Sequence, residues 1–508
     1  MKDTKKIKYN LIIGVLGQIV TLLLGIVVPK LVLTSYGSEV NGLISSITNI
    51  YAYIAIVEAG VTAASCQALY KPLAEQNRDN INSVLSATNK YYHKTGVIYL
   101  ILIFLFSATY PVFIETELPF HSVALIIFFN GIGSVINFFI HGKYLILLKA
   151  DGKNYIRTGV EIFTTVAKQV AKIVFIALGY DVVLVQFVTM LVSFVQMAYI
   201  TYYIKKKYSW IDLKVKPNFE SISQSKNVLV HQINYLITAN TDAVILTFFC
   251  DLKIVSVYSL YILLFNMVDK ILHVIRDALE FKVANFFYTS KEKFLSFFRA
   301  YEVYYITFAF TLYCVVDYFV QPFLKVYTAE VTDVNYIIKY LPLFFAWSKL
   351  WTIIGYPCDA MIHVAGHFKQ TQKAAITEAA LNIVVSLALV RQYGIAGVLI
   401  GTIVSAIFRA FYRIIYVHKN VIEGKRVWGA FKTVIANVVT FVVIDFIGEK
   451  VIMSFSSYWD IVLYCIPFAI CVGIVFFAVN SLAEPKAFRT VWNIARRGIK
   501  RSQKKAID

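Results

Sequence analysis

The sequence predicts an all-α, polytopic membrane protein with about fourteen transmembrane helices, and three observations predict it. The 508 residues are 58% hydrophobic and only 16% charged, where a soluble domain carries about a quarter charged residues; mean hydropathy is +0.66. Apolar runs of about 20 residues recur along the whole chain, each long enough to cross about 30 Å of hydrocarbon. Aromatic residues reach 16%, and Tyr and Trp gather at the ends of these runs, where amphipathic rings favour the headgroup region. The runs are too long and too uniformly apolar for the alternation of a membrane barrel.

The expected spans are 11–33, 43–65, 95–114, 122–148, 157–178, 182–204, 228–249, 254–275, 300–324, 337–364, 374–390, 395–417, 431–448 and 460–482. Two pairs are joined tightly, across Gly179-Tyr180-Asp181 and across Gln392-Tyr393-Gly394. The basic start, Met1 to Lys6, precedes an apolar run too long for a signal peptide and without a small-residue cleavage pattern, so an uncleaved first helix is expected. The net charge of +19 is explained by topology rather than by nucleic acid. Counted from the N-terminal side, alternate segments hold most of the Lys and Arg, while the opposite side holds few, among them Lys253, Arg391 and Lys450. The positive-inside rule then places both termini in the cytoplasm, with an even number of spans in the cytoplasmic (inner) membrane. The six cysteines lie in or beside spans and form no C-x-x-C, which argues against a disulfide framework or a zinc site.

The chain matches itself at one offset in two places. Val40-Asn41-Gly42-Leu43 corresponds to Val257-Tyr258-Ser259-Leu260, and Glu161 to Glu378, both 217 residues apart. An even-numbered six-helix unit repeated once gives two parallel lobes, 1–227 and 228–430, followed by two extra helices in 431–482 and a basic tail, 483–508. Repeats of this kind are common in transporters, with the substrate site near the midplane. Seven tail cations, from Arg489 to Lys505, read as a helix on the anionic cytoplasmic leaflet.

Charged side chains at the bilayer centre cost about 2.5–3.5 kcal/mol on insertion scales, so they usually face a bundle interior or water. Here they form stripes. Glu161, Thr165, Lys168 and Lys172 fall on one helical face in steps of four, three and four. Asn130, Ser134, Asn137 and His141 do the same in the preceding span, and Asn266, Asp269, Lys270 and His273 form a third group. Glu378, Asn382 and Ser386 make a further stripe, as do Ser405, Arg409 and Arg413, while Glu58, Asp242 and Lys349 are single charges. Two readings stand for any one of these: interhelical hydrogen bonds and salt bridges, or the wall of a hydrated cavity. Lys168 and Lys172 are like charges four residues apart, and an anionic ligand or a partner from another helix would relieve their repulsion. Lys168, Lys172, Lys270, Lys349, Arg409 and His141 are the candidate substrate-binding residues of a cationic cavity. Asn240 and Asp242, with Glu378 and Asn382, are candidates for a coupling cation, against ordinary interhelical hydrogen bonding. Gly397-x-x-x-Gly401 signals close helix packing.

No phosphate-binding G-x-x-x-x-G-K-[ST] loop is present, so no cofactor is expected and an ion gradient, Na+ or H+, or a substrate gradient supplies the energy. H-E-x-x-H and G-x-S-x-G are also missing, which argues against an enzyme.

Tyr36-Gly37-Ser38-Glu39-Val40-Asn41-Gly42-Leu43, Val57-Glu58-Ala59-Gly60, Tyr70-Lys71-Pro72-Leu73-Ala74, Asn240-Thr241-Asp242, Val257-Tyr258-Ser259-Leu260-Tyr261 and Ala365 to Thr371 follow one another with a characteristic order and spacing. In these the chain resembles the bacterial polysaccharide-export flippases of the multidrug/oligosaccharidyl-lipid/polysaccharide superfamily. The resemblance implies two six-helix lobes and movement of an undecaprenyl-diphosphate-linked oligosaccharide to the outer leaflet for capsule, O-antigen or exopolysaccharide synthesis. It implies glycosyltransferases and a polysaccharide polymerase as functional partners. An ion-coupled drug or metabolite exporter, of the same superfamily or of the major-facilitator type, is the alternative.

Overall fold

The computed structural model describes residues 2–222, 225–422, 427–448, 455 and 457–505, and among them it is helical with no strand. Ten of the described helices are long and apolar enough to cross a membrane. The other expected spans are helical as well, and each departs from that profile for a visible reason. Helix α1 (Lys2–Ile54) carries the first expected span and part of the second in one run, interrupted where Gly37 adopts φ 82° and ψ 175°. After a break at Ala55 the helix resumes as α2 (Ile56–Ala74). The second expected span, 43–65, is therefore too short at both ends. Helix α6 (Asn154–Ala177) carries Arg157, Glu161, Lys168 and Lys172. In α8 (Ser225–Phe249) the stretch Leu236–Phe249 is apolar. The expected 337–364 span is two short helices, α11 (Leu341–Ile354) and α12 (Tyr356–Val364), broken at Gly355.

The remaining elements are α3 (Arg78–Phe113), α4 (Phe120–Ile136), a π turn (Asn137–His141) leading into α5 (Gly142–Ala150), and α7 (Val182–Lys207). They continue with α9 (Leu252–Thr289), α10 (Lys291–Tyr327), α13 (Phe368–Tyr393), α14 (Ile395–Asn420), α15 (Val427–Gly448), α16 (Tyr458–Ala483) and α17 (Pro485–Lys505). The polar stretch around 276–293, expected to be a connecting segment, is instead helix on both sides of Ser290. Hydropathy detects the hydrocarbon-crossing part of a helix, whereas the backbone ladder continues into water as far as propensity allows. The tight 179–181 turn is closed by Asp181, whose carboxylate caps α7 by accepting from the Val183 and Leu184 amides at 2.8 and 3.0 Å.

By packing, the chain divides into two compact units, Met1–Ser256 and Val257–Asp508. The 227/228 boundary expected from the repeat differs from this division, because α8 packs on α1 and α2 and so falls within the first unit. In that unit the helices form a ring. Helix α1 lies between α6 and α8, α6 packs on α7, α7 on α4, α4 on α3, α3 on α2, and α2 on α8. Where the ring closes, Asn41 donates to Ser256 Oγ at 2.8 Å, and Thr247 Oγ1 to Ser46 Oγ at 2.8 Å. Gly42 is needed there, since a Cβ at that position would stand 1.7 Å from the Leu252 carbonyl oxygen. Gly42→Ala therefore forces backbone apart, and we expect a loss of about 1–3 kcal/mol, read as a lower melting temperature in detergent.

In the second unit α10 is the hub and packs on α11, α15, α16 and α17. Its buried face is aromatic, with Phe294, Phe298, Tyr301, Tyr305, Phe310 and Tyr313 all inside. Helix α13 pairs closely with α14, and at Gly401 a side chain would collide with Ser386 Oγ at 2.1 Å. Helices α15 and α16 are clasped by Asn437 and Asn480, whose amides exchange hydrogen bonds at 2.9 and 3.0 Å in a fully buried site. The tail is helical, and the start of α17 docks on α10 through Ala487, which packs with Ala300 and Val303.

Candidate substrate cavity

Inside the ring of the first unit lies a cavity of about 460 Å³ with a polar wall. Helix α6 supplies Arg157, Glu161 and Lys168, the α4 side supplies Asn130, Ser134 and Asn137, and α7 supplies Ser193 and Gln196. The spacing of these residues is the reason they meet: steps of three and four keep one face of each helix toward the same space. Lys149 lines the cavity too, so its wall carries three cations against one carboxylate.

That carboxylate is already engaged, because Arg157 Nε donates to Glu161 Oε1 at 2.8 Å. Glu161 is thus not the partner of either lysine on its helix. Among the described residues, neither Lys168 nor Lys172 has a carboxylate within ion-pair distance. Lys168 faces the cavity; Lys172, one turn further along α6, is partly buried. On the opposing wall Ser193 Oγ is buried without a hydrogen-bond partner among the described residues. A buried hydroxyl left unmatched costs about 1–3 kcal/mol, so water or a ligand is required there. Lys168, with no carboxylate within ion-pair distance, and the unmatched Ser193 hydroxyl line one space, an arrangement suited to an oxyanion. The cationic contributions of Lys149 and Arg157 were not apparent from the sequence, where both sit in the charged ends of their segments.

The other candidate residues are distributed differently. The side chains of His141 and Glu58 lie outside the described residues. Asn240 donates to the Leu236 carbonyl of its own helix at 2.9 Å, and Thr241 is hydrogen-bonded to the Tyr53 hydroxyl at 2.6 Å. Asp242 is buried next to Tyr53. In the second unit Lys349 donates to Asn266 Oδ1 at 2.6 Å and to Asp269 Oδ2 at 2.7 Å, and Tyr313 donates to the other oxygen of Asp269 at 2.6 Å. Lys349 is therefore a neutralised member of an interhelical network. Lys270, which follows Asp269 in the chain, is exposed and takes no part in that network. Arg409 Nε lies 3.3 Å from Glu378 Oε2, so a cation read as a substrate contact and a carboxylate read as an ion ligand hold each other. Asn382 donates to Thr402 at 2.9 Å, while its own oxygen is buried without a hydrogen bond among the described residues. Arg413 Nε lies 3.2 Å from Asp359 Oδ1.

No family model matches the sequence. No curated protein matches it either. Solved structures do share its architecture. A multidrug resistance MATE family transporter of the MOP superfamily, in an inward-facing conformation, superimposes with a TM-score of 0.66 at 15% identity, over 81% of this chain and 96% of that one. The lipid II flippase MurJ, in an inward closed conformation, gives 0.68 at 13% identity over 93% and 99%. The MATE multidrug transporter DinF-BH gives 0.58 at 16% identity over 82% and 95%. The chain is a multi-pass membrane protein with the fold of the MOP-superfamily transporters.

Proposed function

We propose that this protein is a flippase that carries an undecaprenyl-diphosphate-linked oligosaccharide across the cytoplasmic membrane for surface polysaccharide synthesis. The observation that carries the reading is the cavity wall in which Lys168, with Lys172 one turn away, meets no carboxylate. A diphosphate supplies the missing negative charge, and the neutral donors and acceptors of Asn130, Ser134 and Gln196 suit sugar hydroxyls. The shared fold admits both drug transporters and a lipid II flippase, so the charge of the cavity, not the fold, favours the lipid-linked cargo. Alternating exposure of the site to the two leaflets, driven by Na+ or H+, completes the proposal, with both termini on the cytoplasmic side and glycosyltransferases and a polymerase acting before and after. The test is translocation in reconstituted vesicles with two fluorescent substrates, an oligosaccharide on polyprenyl diphosphate and the same glycan on a neutral lipid. Movement of the diphosphate-linked form alone is expected; equal movement of both would remove the basis for the reading.

A further inference from the structure

A buried cluster in the second unit plays no part in the transport reading. Glu302 of α10, Cys358 of α12 and His418 of α14 meet with 1%, 1% and 2% of each residue exposed. One ligating atom from each lies within 4.8 Å of the others. His418 Nδ1 is 3.0 Å from the Ile414 carbonyl oxygen. A carbonyl only accepts, so Nδ1 carries a proton and Nε2 faces the cluster. Nε2 lies 3.5 Å from Glu302 Oε1, and Cys358 Sγ lies 3.9 Å from the same oxygen.

These separations discriminate between two arrangements. A charge-assisted hydrogen bond would draw nitrogen and oxygen to about 2.7–2.9 Å. Ligand atoms sharing a tetrahedral zinc, with bonds of about 2.0–2.3 Å, stand roughly 3.3–3.7 Å apart. The Nε2–Oε1 separation of 3.5 Å falls within that range, and the Sγ–Oε1 separation of 3.9 Å lies slightly beyond it. Fixing Nδ1–H on a backbone carbonyl is also how metal-ligating histidines are oriented. Arg299 Nη1 holds the other oxygen of Glu302 at 2.5 Å and its Nη2 reaches Glu484 at 2.9 Å, so Oε1 is the oxygen left for a ligand.

We propose that Glu302, Cys358 and His418 form a divalent transition-metal site of the zinc class that joins α10, α12 and α14. One oxygen, one nitrogen and one sulfur donor suit Zn2+ better than Mg2+ or Ca2+. On binding, M2+ meets the Glu302 carboxylate, the Cys358 thiolate and the unprotonated Nε2 of His418, and the Sγ proton, with that of Nε2 where the ring carries one, leaves to solvent.

The experiment uses the tag-free full chain in detergent, titrated with Co2+ as the zinc surrogate. One tightly held equivalent is expected, with a sulfur-to-cobalt charge-transfer band in the near ultraviolet and a raised melting temperature. Cys358→Ala removes no short hydrogen bond, so it is expected to fold as the parent does while losing the band and binding Co2+ at least about 10-fold more weakly. His418→Gln should lose the tight equivalent as well. Folded wild-type protein that takes up no Co2+, or shows no thiolate band, overturns the proposal, and so does equal uptake by Cys358→Ala.

Discussion

Replacing Lys168 and Lys172 together with alanine is expected to stop translocation of the diphosphate-linked substrate without weakening the fold. Each charge-assisted hydrogen bond to a phosphate is worth about 1.5–3 kcal/mol, so removing two should lower transition-state stabilisation enough to slow transport by roughly 10²–10⁴-fold. Stability should move the other way or not at all. Neither lysine has a carboxylate partner within ion-pair distance among the described residues, and a charge near the bilayer centre costs about 2.5–3.5 kcal/mol to insert. The two readouts together separate function from structure. A structural role would lower the melting temperature; a substrate role leaves it level or raised while vesicle transport falls. Arginine at both positions should keep much of the rate, because it preserves the charge and can grip a phosphate bidentately. Undiminished transport by the alanine pair would end the assignment of these lysines.

These lysines were legible in the sequence because the relevant information is local. Helical periodicity alone puts positions 161, 165, 168 and 172 on one face, and two like charges one turn apart remain a problem whatever surrounds them. What the sequence left hidden is pairing across helices. Lys349 looks like a free cation until Asn266 and Asp269 close on it from α9. Arg409 and Glu378 look like members of two different sites until α13 packs on α14 and brings them within 3.3 Å. The same limit applies to helix ends. The apolar runs marked where hydrocarbon is crossed, but α2, α9 and α10 extend into polar sequence that hydropathy reads as loop. Glu302, Arg299 and Glu484 escaped notice altogether, since they sit near the ends of apolar runs where charges are ordinary, and only the fold reveals that Arg299 and Glu302 are enclosed and Glu484 half-buried beside them.

That enclosure predicts the largest stability effect in the chain. Arg299 donates to Glu302 Oε2, to the Gly429 carbonyl at 2.6 Å and to Thr433 Oγ1 at 2.9 Å, and pairs with Glu484. One guanidinium thus ties α10 to the first turns of α15 and to the junction of α16 and α17. Its planar fork is what permits this; a lysine ammonium cannot present donors in three fixed directions. Arg299→Met keeps the volume and removes the charge, leaving the buried Glu302, the partly exposed Glu484 and the Gly429 carbonyl without this donor. Breaking a buried ion pair from one side costs about 3–5 kcal/mol. We expect a clear fall in melting temperature in detergent, and faster amide exchange in α15 and α17 than in α13 and α14, which Arg299 does not bridge. The triple variant Arg299→Met, Glu302→Gln, Glu484→Gln should recover most of the loss, because neutral amides no longer demand a counter-charge. If Arg299→Met melted with the parent protein, the attachment of α15 to α10 would have to rest on apolar packing, with α15 and α16 held to each other by the Asn437–Asn480 clasp and the Lys432–Ala483 hydrogen bond.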